Sequence, residues 1–162
     1  MIETVRSGLQ IVDLRARPEL LDQVAHWHQQ AWQKQDISGI RERLQLHLCE
    51  EPLPTTLLAM EASAALGSAS LVRYQKLGGY EASVWLANVF VCAEYRRRGI
   101  GADLVAAAVA RASEFGLPQL YLYTHDHERY YTELGWQAIK QHSFAGRSIT
   151  IMRLVLDQSM PR

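Results

Sequence analysis

Apolar positions recur along this chain in two rhythms, and the points where the rhythm changes predict the elements. Gln10 to Leu14 alternates with a period of two, as a half-buried strand does. Pro18 opens a helical pattern from Glu19 to Trp32, in which Leu20, Leu21, Val24, Trp27 and Ala31 return at helical spacing. A second helical stretch runs from about Ile37 to Leu48, with Ile40, Leu44 and Leu48 on one face, and Pro52 and Pro54 break it. Two strand-like runs follow, Thr55 to Met60 and Ala65 to Arg73, separated by a turn of small residues. Gly78-Gly79 marks another turn, and Ser83 to Val91 is a long apolar strand.

The second half repeats the alternation of strand and helix. Ile100 to Phe115 is alanine-rich and helical, closed by Gly116 and Pro118 in the order expected of a helix stop. Leu120 to Tyr123 reads as a short buried strand and Glu128 to Leu134 as a short helix. Gly135 turns the chain into strands near Trp136 to His142 and Ser148 to Leu156. Hairpins and crossovers both occur, which predicts an α/β fold of the α+β type with a mixed sheet of about seven strands and about four helices. The 162 residues show no repeat or linker, so one domain over residues 1–162 is expected.

Composition narrows the classes of function. Hydrophobic residues make up 48% and charged residues 21%, a globular balance that argues against disorder. Lysine plus arginine number 17 and aspartate plus glutamate 17, so the basic excess of a nucleic-acid or membrane binder is missing. Neither is expected as a partner. The 2 cysteines, Cys49 and Cys92, build no disulfide framework or four-cysteine zinc site, and the 6 histidines include no H-x-x-x-H pair. No metal is expected. No apolar run reaches the roughly 18 residues of a membrane span, and Met1 to Gln10 lacks a signal peptide's apolar stretch. A soluble cytoplasmic protein is the expectation, monomer or homodimer, with edge strands at the C-terminal end able to pair between subunits.

The sharpest chemical feature is Val89 to Ala102, where an apolar strand enters a basic, glycine-bearing turn and a long helix starts at once. Orphan N–H groups at a helix N-terminus and the helix dipole favour an anion there. Gly99 and Gly101 let backbone approach a bulky phosphate, and Arg96, Arg97 and Arg98 add charge. A solvated basic turn is the plainer alternative from the loop alone. The order strand, glycine loop, helix favours the anion site. The loop has no Gly-Lys-Ser/Thr of a Walker motif, and Leu104 stands where a dinucleotide fingerprint needs its third glycine.

Arg-x-x-Gly-x-Gly, as Arg96, Gly99 and Gly101, resembles the acetyl-coenzyme A loop of the GNAT superfamily of N-acetyltransferases. Val89-Phe90-Val91 ahead of it and Tyr130 to Trp136 downstream, similar to the family's aromatic-Tyr-x-x-x-Gly-aromatic run, extend the likeness. The resemblance implies a sheet whose two central strands splay to admit the pantetheine arm of acetyl-coenzyme A (acetyl-CoA). Val89, Phe90 and Val91 would bind that arm through backbone groups. Arg96, Arg97, Arg98, Gly99, Ile100, Gly101 and Ala102 would surround the pyrophosphate, and the Val91 N–H would face the developing oxyanion. Tyr131 stands where the family places a tyrosine beside the cofactor sulfur, a proton donor to the leaving thiolate.

One position departs from the family pattern. Ala87 occupies the place of the glutamate that many members use as general base. His125 and His127, and more weakly Glu81, are the substitutes the sequence offers, because histidine titrates near neutrality. Trp32, at the end of the first helix beside the polar run 33–38, is an expected acceptor contact, whereas Trp27 and Trp136 are expected in the core and Cys92 as a small apolar filler. Thr124-His125-Asp126 with Tyr130 to Gly135 is also similar to actin-type N-terminal acetyltransferases. The expected activity is acetyl transfer to a primary amine, on a small molecule or a peptide N-terminus. A non-catalytic acyl-CoA binding or sensing module of the same fold is the alternative that Ala87 motivates.

Overall fold

A computed structural model describes residues 2–6, 8–32, 36–74, 83–144 and 146–156. Its strands are β1 (Ile2–Arg6), β2 (Leu9–Asp13), β3 (Thr55–Glu61), β4 (Ala64–Tyr74), β5 (Ser83–Val91), β6 (Gln119–Thr124), β7 (Gln137–Phe144) and β8 (Arg147–Val155). The helices are α1 (Leu21–Trp32), α2 (Ile37–Leu46), α3 (Ile100–Glu114) and α4 (Glu128–Glu133). The hydrogen-bonded order is β1-β2-β3-β4-β5-β6-β8-β7. The sheet is mixed: β1, β2, β3 and β4 run antiparallel in turn, β5 and β6 pair parallel, and β8 is antiparallel to both β6 and β7. The α/β fold predicted from the pattern is therefore present, with β1 added ahead of the first predicted strand. The Gly78-Gly79 turn lies outside the described residues.

Contacts divide the chain into two compact units, residues 1–71 with 88–108, and residues 72–87 with 109–162. In the first, Thr56, Leu58 and Met60 of β3 alternate onto one face, and α1 and α2 cover it. Leu21, Val24, Ala25 and Trp27 of α1 and Ile40 and Leu44 of α2 form that core with Val12, Leu14 and Leu58. Pro18–Leu20 is a 3₁₀ turn, so α1 starts two residues later than its periodicity suggests. Asp36 caps α2 by accepting a hydrogen bond from the Gly39 N–H at 2.8 Å. Arg15 ties the segment before β3 to β2. Its guanidinium donates to Asp13, to the Thr55 hydroxyl and to the carbonyls of Cys49, Glu51 and Pro54.

The second unit is built on an aromatic and branched core. Trp85, Tyr121, Ile149 and Ile151 are buried together, and Trp85 lies 5.3 Å from the Tyr121 ring. Register runs Tyr121↔Arg153 and Thr124↔Thr150 between β6 and β8, and Ala138↔Met152 between β7 and β8. The chain closes on itself where the Leu156 N–H donates to the Pro118 carbonyl at 2.9 Å.

One strand carries the change of environment that matters for chemistry. β5 pairs with β6 at Trp85↔Tyr121 and then runs six residues further, to Val91. Val84, Trp85 and Leu86 are buried, whereas every residue from Ala87 to Val91 is half-buried. Asn88, at the start of this stretch, has a left-handed backbone with φ 55°. That conformation breaks the regular pleat of β5 at the residue after Ala87.

Candidate active site

The end of β5 is held by its neighbour β4 through a close approach. The Cys92 N–H donates to the Leu66 carbonyl at 2.9 Å. A Cβ at Gly67 would collide with the Phe90 carbonyl oxygen and stand 3.2 Å from the Val91 Cα. Only glycine fits there. Both contacts direct the Phe90 carbonyl and the Cys92 N–H toward β4. In a trans peptide the C=O and N–H point opposite ways, so the Val91 N–H and the Val91 carbonyl face away from β4. Val91 thus presents a donor and an acceptor on the side of β5 that β4 does not cover.

Beyond Val91 the chain makes a short 3₁₀ turn, Ala93–Tyr95, and then two left-handed residues, Arg97 with φ 66° and Gly99 with φ 80°. The Gly99 carbonyl accepts the first α-helical hydrogen bond, from the Asp103 N–H at 3.0 Å. Gly99 therefore sits at the N-cap of α3, and the N–H groups of Ile100, Gly101 and Ala102 belong to its first turn, which has no intrahelical acceptors to offer them. Arg96 to Gly99 are exposed and Gly101 and Ala102 half-buried, so this turn is open to a ligand. Ile100 and Leu104 are buried and anchor the helix, and the Leu104 Cδ1 lies 3.3 Å from the space a Gly67 Cβ would take. The close helix–strand packing for which a dinucleotide fingerprint uses a helical glycine is achieved here by a glycine on the strand.

The three arginines have different surroundings. Arg96 Nε donates to the Val91 carbonyl at 2.8 Å, with its guanidinium 5.9 Å from the centre of the Phe90 ring. Arg98 pairs with Glu61 at 2.8 Å and lies over the Tyr95 ring. Arg97 is exposed and, among the described residues, has no ion-pair partner.

Tyr131 belongs to the second unit, on α4. Its N–H donates to the His127 carbonyl at 3.2 Å, and its own carbonyl accepts from the Leu134 and Trp136 N–H groups at 3.0 Å each. Its ring meets Tyr130 and Trp136 edge-on at 5.1 and 6.3 Å. Burial, with a smaller contribution from Tyr130, pushes its hydroxyl up to about 12. The phenol stays protonated at any physiological pH.

His125 and His127 are exposed in the turn before α4. The His125 ring packs edge-on to Tyr123 at 6.3 Å, and its Nδ1 lies 3.3 Å from the Ser148 carbonyl oxygen. His127 Nε2 is 3.4 Å from Asp126, and its backbone N–H donates to the Thr124 hydroxyl. Glu81 and residues 33–35 lie outside the described residues. Trp32 is 40% exposed, the most open tryptophan, and its ring meets His28 edge-on at 5.5 Å. Trp27 is buried and stacks on Phe90 at 5.4 Å, Trp136 is buried, and burial raises the pKa of the Cys92 thiol, in keeping with core roles for all three.

Two histidines that the sequence reading passed over are buried in the first unit. Burial, then the His47 and Arg43 charges, holds His28 down at about 4, and burial likewise holds His47 at about 4. His47 Nδ1 lies 2.8 Å from the Thr56 hydroxyl, which is 2.8 Å from Ser70. The signal was available: His28 continues the Leu21, Val24 spacing on α1, and His47 follows Ile40 and Leu44.

Residues 21–136 match the model of the acetyltransferase (GNAT) family. The chain belongs to the GNAT family. It is thus an acyltransferase of a family that takes acetyl-CoA, and the open turn at α3 with the uncovered side of Val91 suits a diphosphate and an extended arm. Solved GNAT folds superpose over nearly its whole length. The protein yncA from Salmonella typhimurium, solved with its cofactor acetyl-CoA, is 17% identical with a TM-score of 0.70, over 96% of this chain and 98% of that one. An aminoglycoside 6'-N-acetyltransferase complexed with coenzyme A is 17% identical with a TM-score of 0.73, over 94% and 98%. Ard1 from Thermoplasma volcanium is 14% identical with a TM-score of 0.73, over 93% and 99%. Among the described residues no helix is long and apolar enough to cross a membrane, and no group of three His, Cys, Asp or Glu is placed to hold a metal.

Proposed function

We propose that this GNAT protein transfers an acetyl group from acetyl-CoA to a primary amine by direct attack in a ternary complex. The observation that carries this reading is the Val91 N–H, directed away from β4 at the end of a half-buried strand that leads straight into the open first turn of α3. When bound, the thioester supplies an activated acyl group and a thiolate leaving group. The N–H groups of Ile100, Gly101 and Ala102, with Gly99 and Arg97, would hold the diphosphate through the helix dipole and one exposed cation. Val89, Phe90 and Val91 would lie along the arm, and the Val91 N–H would stabilise the oxyanion as it forms.

On the family resemblance, Tyr131 is the residue assigned to the leaving thiolate. A phenol raised to about 12 stands roughly 3 to 4 units above a thiol of ordinary pKa near 8.5. Full proton transfer to the thiolate is therefore uphill, and Tyr131 acts best as a hydrogen-bond donor that keeps its proton. With Ala87 in place of a carboxylate, the ammonium proton of the acceptor leaves through solvent or through His125 or His127, which are exposed to it. Trp32 would border the acceptor. A small amine and a peptide N-terminus both meet this chemistry, and similar folds named aminoglycoside 6'-N-acetyltransferase and Ard1 make both worth assaying.

The test is thiol release from acetyl-CoA over a mixed panel of primary amines and peptides. Amine-dependent release is expected, rising with pH as the ammonium loses its proton. Tight coenzyme A binding with no amine-stimulated release across the panel would contradict the proposal.

A further inference from the structure

We propose that Arg96 is a positioning residue of the acetyl-transfer site, one that fixes the Val91 amide and does not grip phosphate. This rests on the reading of Val91 given under Proposed function. The guanidinium is engaged on the end of β5: Nε donates to the Val91 carbonyl at 2.8 Å, and the group lies 5.9 Å from the Phe90 ring centre. Phe90 is in turn stacked on Trp27 at 5.4 Å, and Trp27 is buried in the α1–α2 core. Arg96 therefore lies over a ring that packs against the core.

The consequence falls on one peptide. The Val91–Cys92 unit is pinned at both ends, its carbonyl by Arg96 and its N–H by the Leu66 carbonyl at 2.9 Å. The preceding Phe90–Val91 unit is confined by the contact of the Phe90 carbonyl with Gly67. Val91 has one rotatable angle on each side of its Cα, and these two units fix both. The direction of the Val91 N–H follows from them. A charge-assisted bond to the carbonyl on the otherwise uncovered side of the strand supplies the restraint that β4 cannot supply there. It also occupies an acceptor that would compete for an N–H of the bound arm, leaving the Val91 N–H as the outward group. Arg97, exposed and left-handed, is the arginine left for the diphosphate.

The two roles predict different kinetics. Arg96→Met removes the bond to Val91 and keeps the apolar stem over Phe90. Arg96→Gln puts an amide N–H within reach of the same carbonyl without the charge. Arg97→Met removes the cation at the left-handed position of the turn and leaves the Val91 bond in place. Each variant is measured for coenzyme A affinity by calorimetry, for kcat and KM in thiol release with the amine panel, and for melting temperature. Arg96→Met is expected to bind coenzyme A within about 3-fold of wild type while kcat falls roughly 10- to 100-fold, the size of a small misplacement of a catalytic group. Arg96→Gln should restore most of kcat, and Arg97→Met should weaken coenzyme A binding. The inference is overturned if Arg96→Met loses affinity as Arg97→Met does with kcat unchanged, or if Arg96→Gln is as slow as Arg96→Met at equal melting temperature. Wild-type protein that fails to bind coenzyme A at all would instead sink the acetyl-transfer reading, and this proposal with it.

Discussion

The turn from Val89 to Ala102 and the turn from Thr124 to Trp136 each leave a strand and enter a helix, yet they offer chemistry in different ways. In the proposed reaction the first would work with backbone. Its donors are the Val91 N–H and the first N–H groups of α3, set by two left-handed residues and by the fit of Phe90 against Gly67. The second would work with side chains, whose environments diverge over a few residues. Tyr131 is sheltered and its pKa raised, while His125 and His127 stand in solvent. A backbone site tolerates many side-chain changes but no change that fills it. A side-chain site depends on burial, and so on residues distant in sequence.

The largest expected effect comes from filling the first turn. Gly101→Glu should abolish coenzyme A binding by calorimetry, because it puts a carboxylate where the diphosphate would sit. An acidic residue in the first turn of a helix stabilises it, so the melting temperature should hold. Unchanged affinity would remove the backbone turn from the site. In the second turn, Tyr131→Phe removes one hydrogen-bond donor to the developing thiolate and should lower kcat roughly 10²-fold with little change in cofactor affinity. Because the hydroxyl sits at about 12, wild-type kcat should show no falling limb attributable to this residue below about pH 11. Wild-type turnover in Tyr131→Phe would leave the second turn without a catalytic side chain.

A third effect tests burial in the first unit. His28 and His47 are held neutral at about 4, against 6.5 when unfolded. Below pH 6.5 the unfolded chain takes up protons that the folded chain refuses. Stability is therefore complete above that pH, declines as pH falls toward 4, and stops declining through these groups below it. Between pH 7 and pH 5 each histidine should cost about 2 kcal/mol, so denaturant titrations of His28→Gln should show a shallower acid loss than wild type. An identical slope would mean His28 is protonated in the fold. The smallest effect is expected at the exposed pair: His125→Ala with His127→Ala should change kcat less than about 3-fold if solvent takes the proton. A 10-fold loss would make one of them the base.

The same contrast explains what could be learned from residues alone. Strand and helix periodicity recovered most elements within a few residues, because burial repeats along them. β1 was missed, since Ile2-Glu3-Thr4-Val5-Arg6 carries only two apolar residues and gives alternation little to act on. The turn at α3 was visible because Gly99 and Gly101 mark backbone that must come close to something. The separate surroundings of Arg96, Arg97 and Arg98 were not, because the partners are Val91, Phe90, Glu61 and Tyr95, and only three-dimensional placement pairs them. Gly67 also went unnoticed: its need for a bare Cα arises from β5, more than twenty residues away in the chain.

The central claim is that an acyl-CoA lies along the uncovered side of Val91 with its diphosphate on the first turn of α3. Backbone amide NMR during an acetyl-CoA titration tests it most directly. The account predicts the largest shifts at the amides of Val91, Gly99, Ile100, Gly101 and Ala102. Saturating acetyl-CoA that leaves those five amides unmoved while others shift would contradict it.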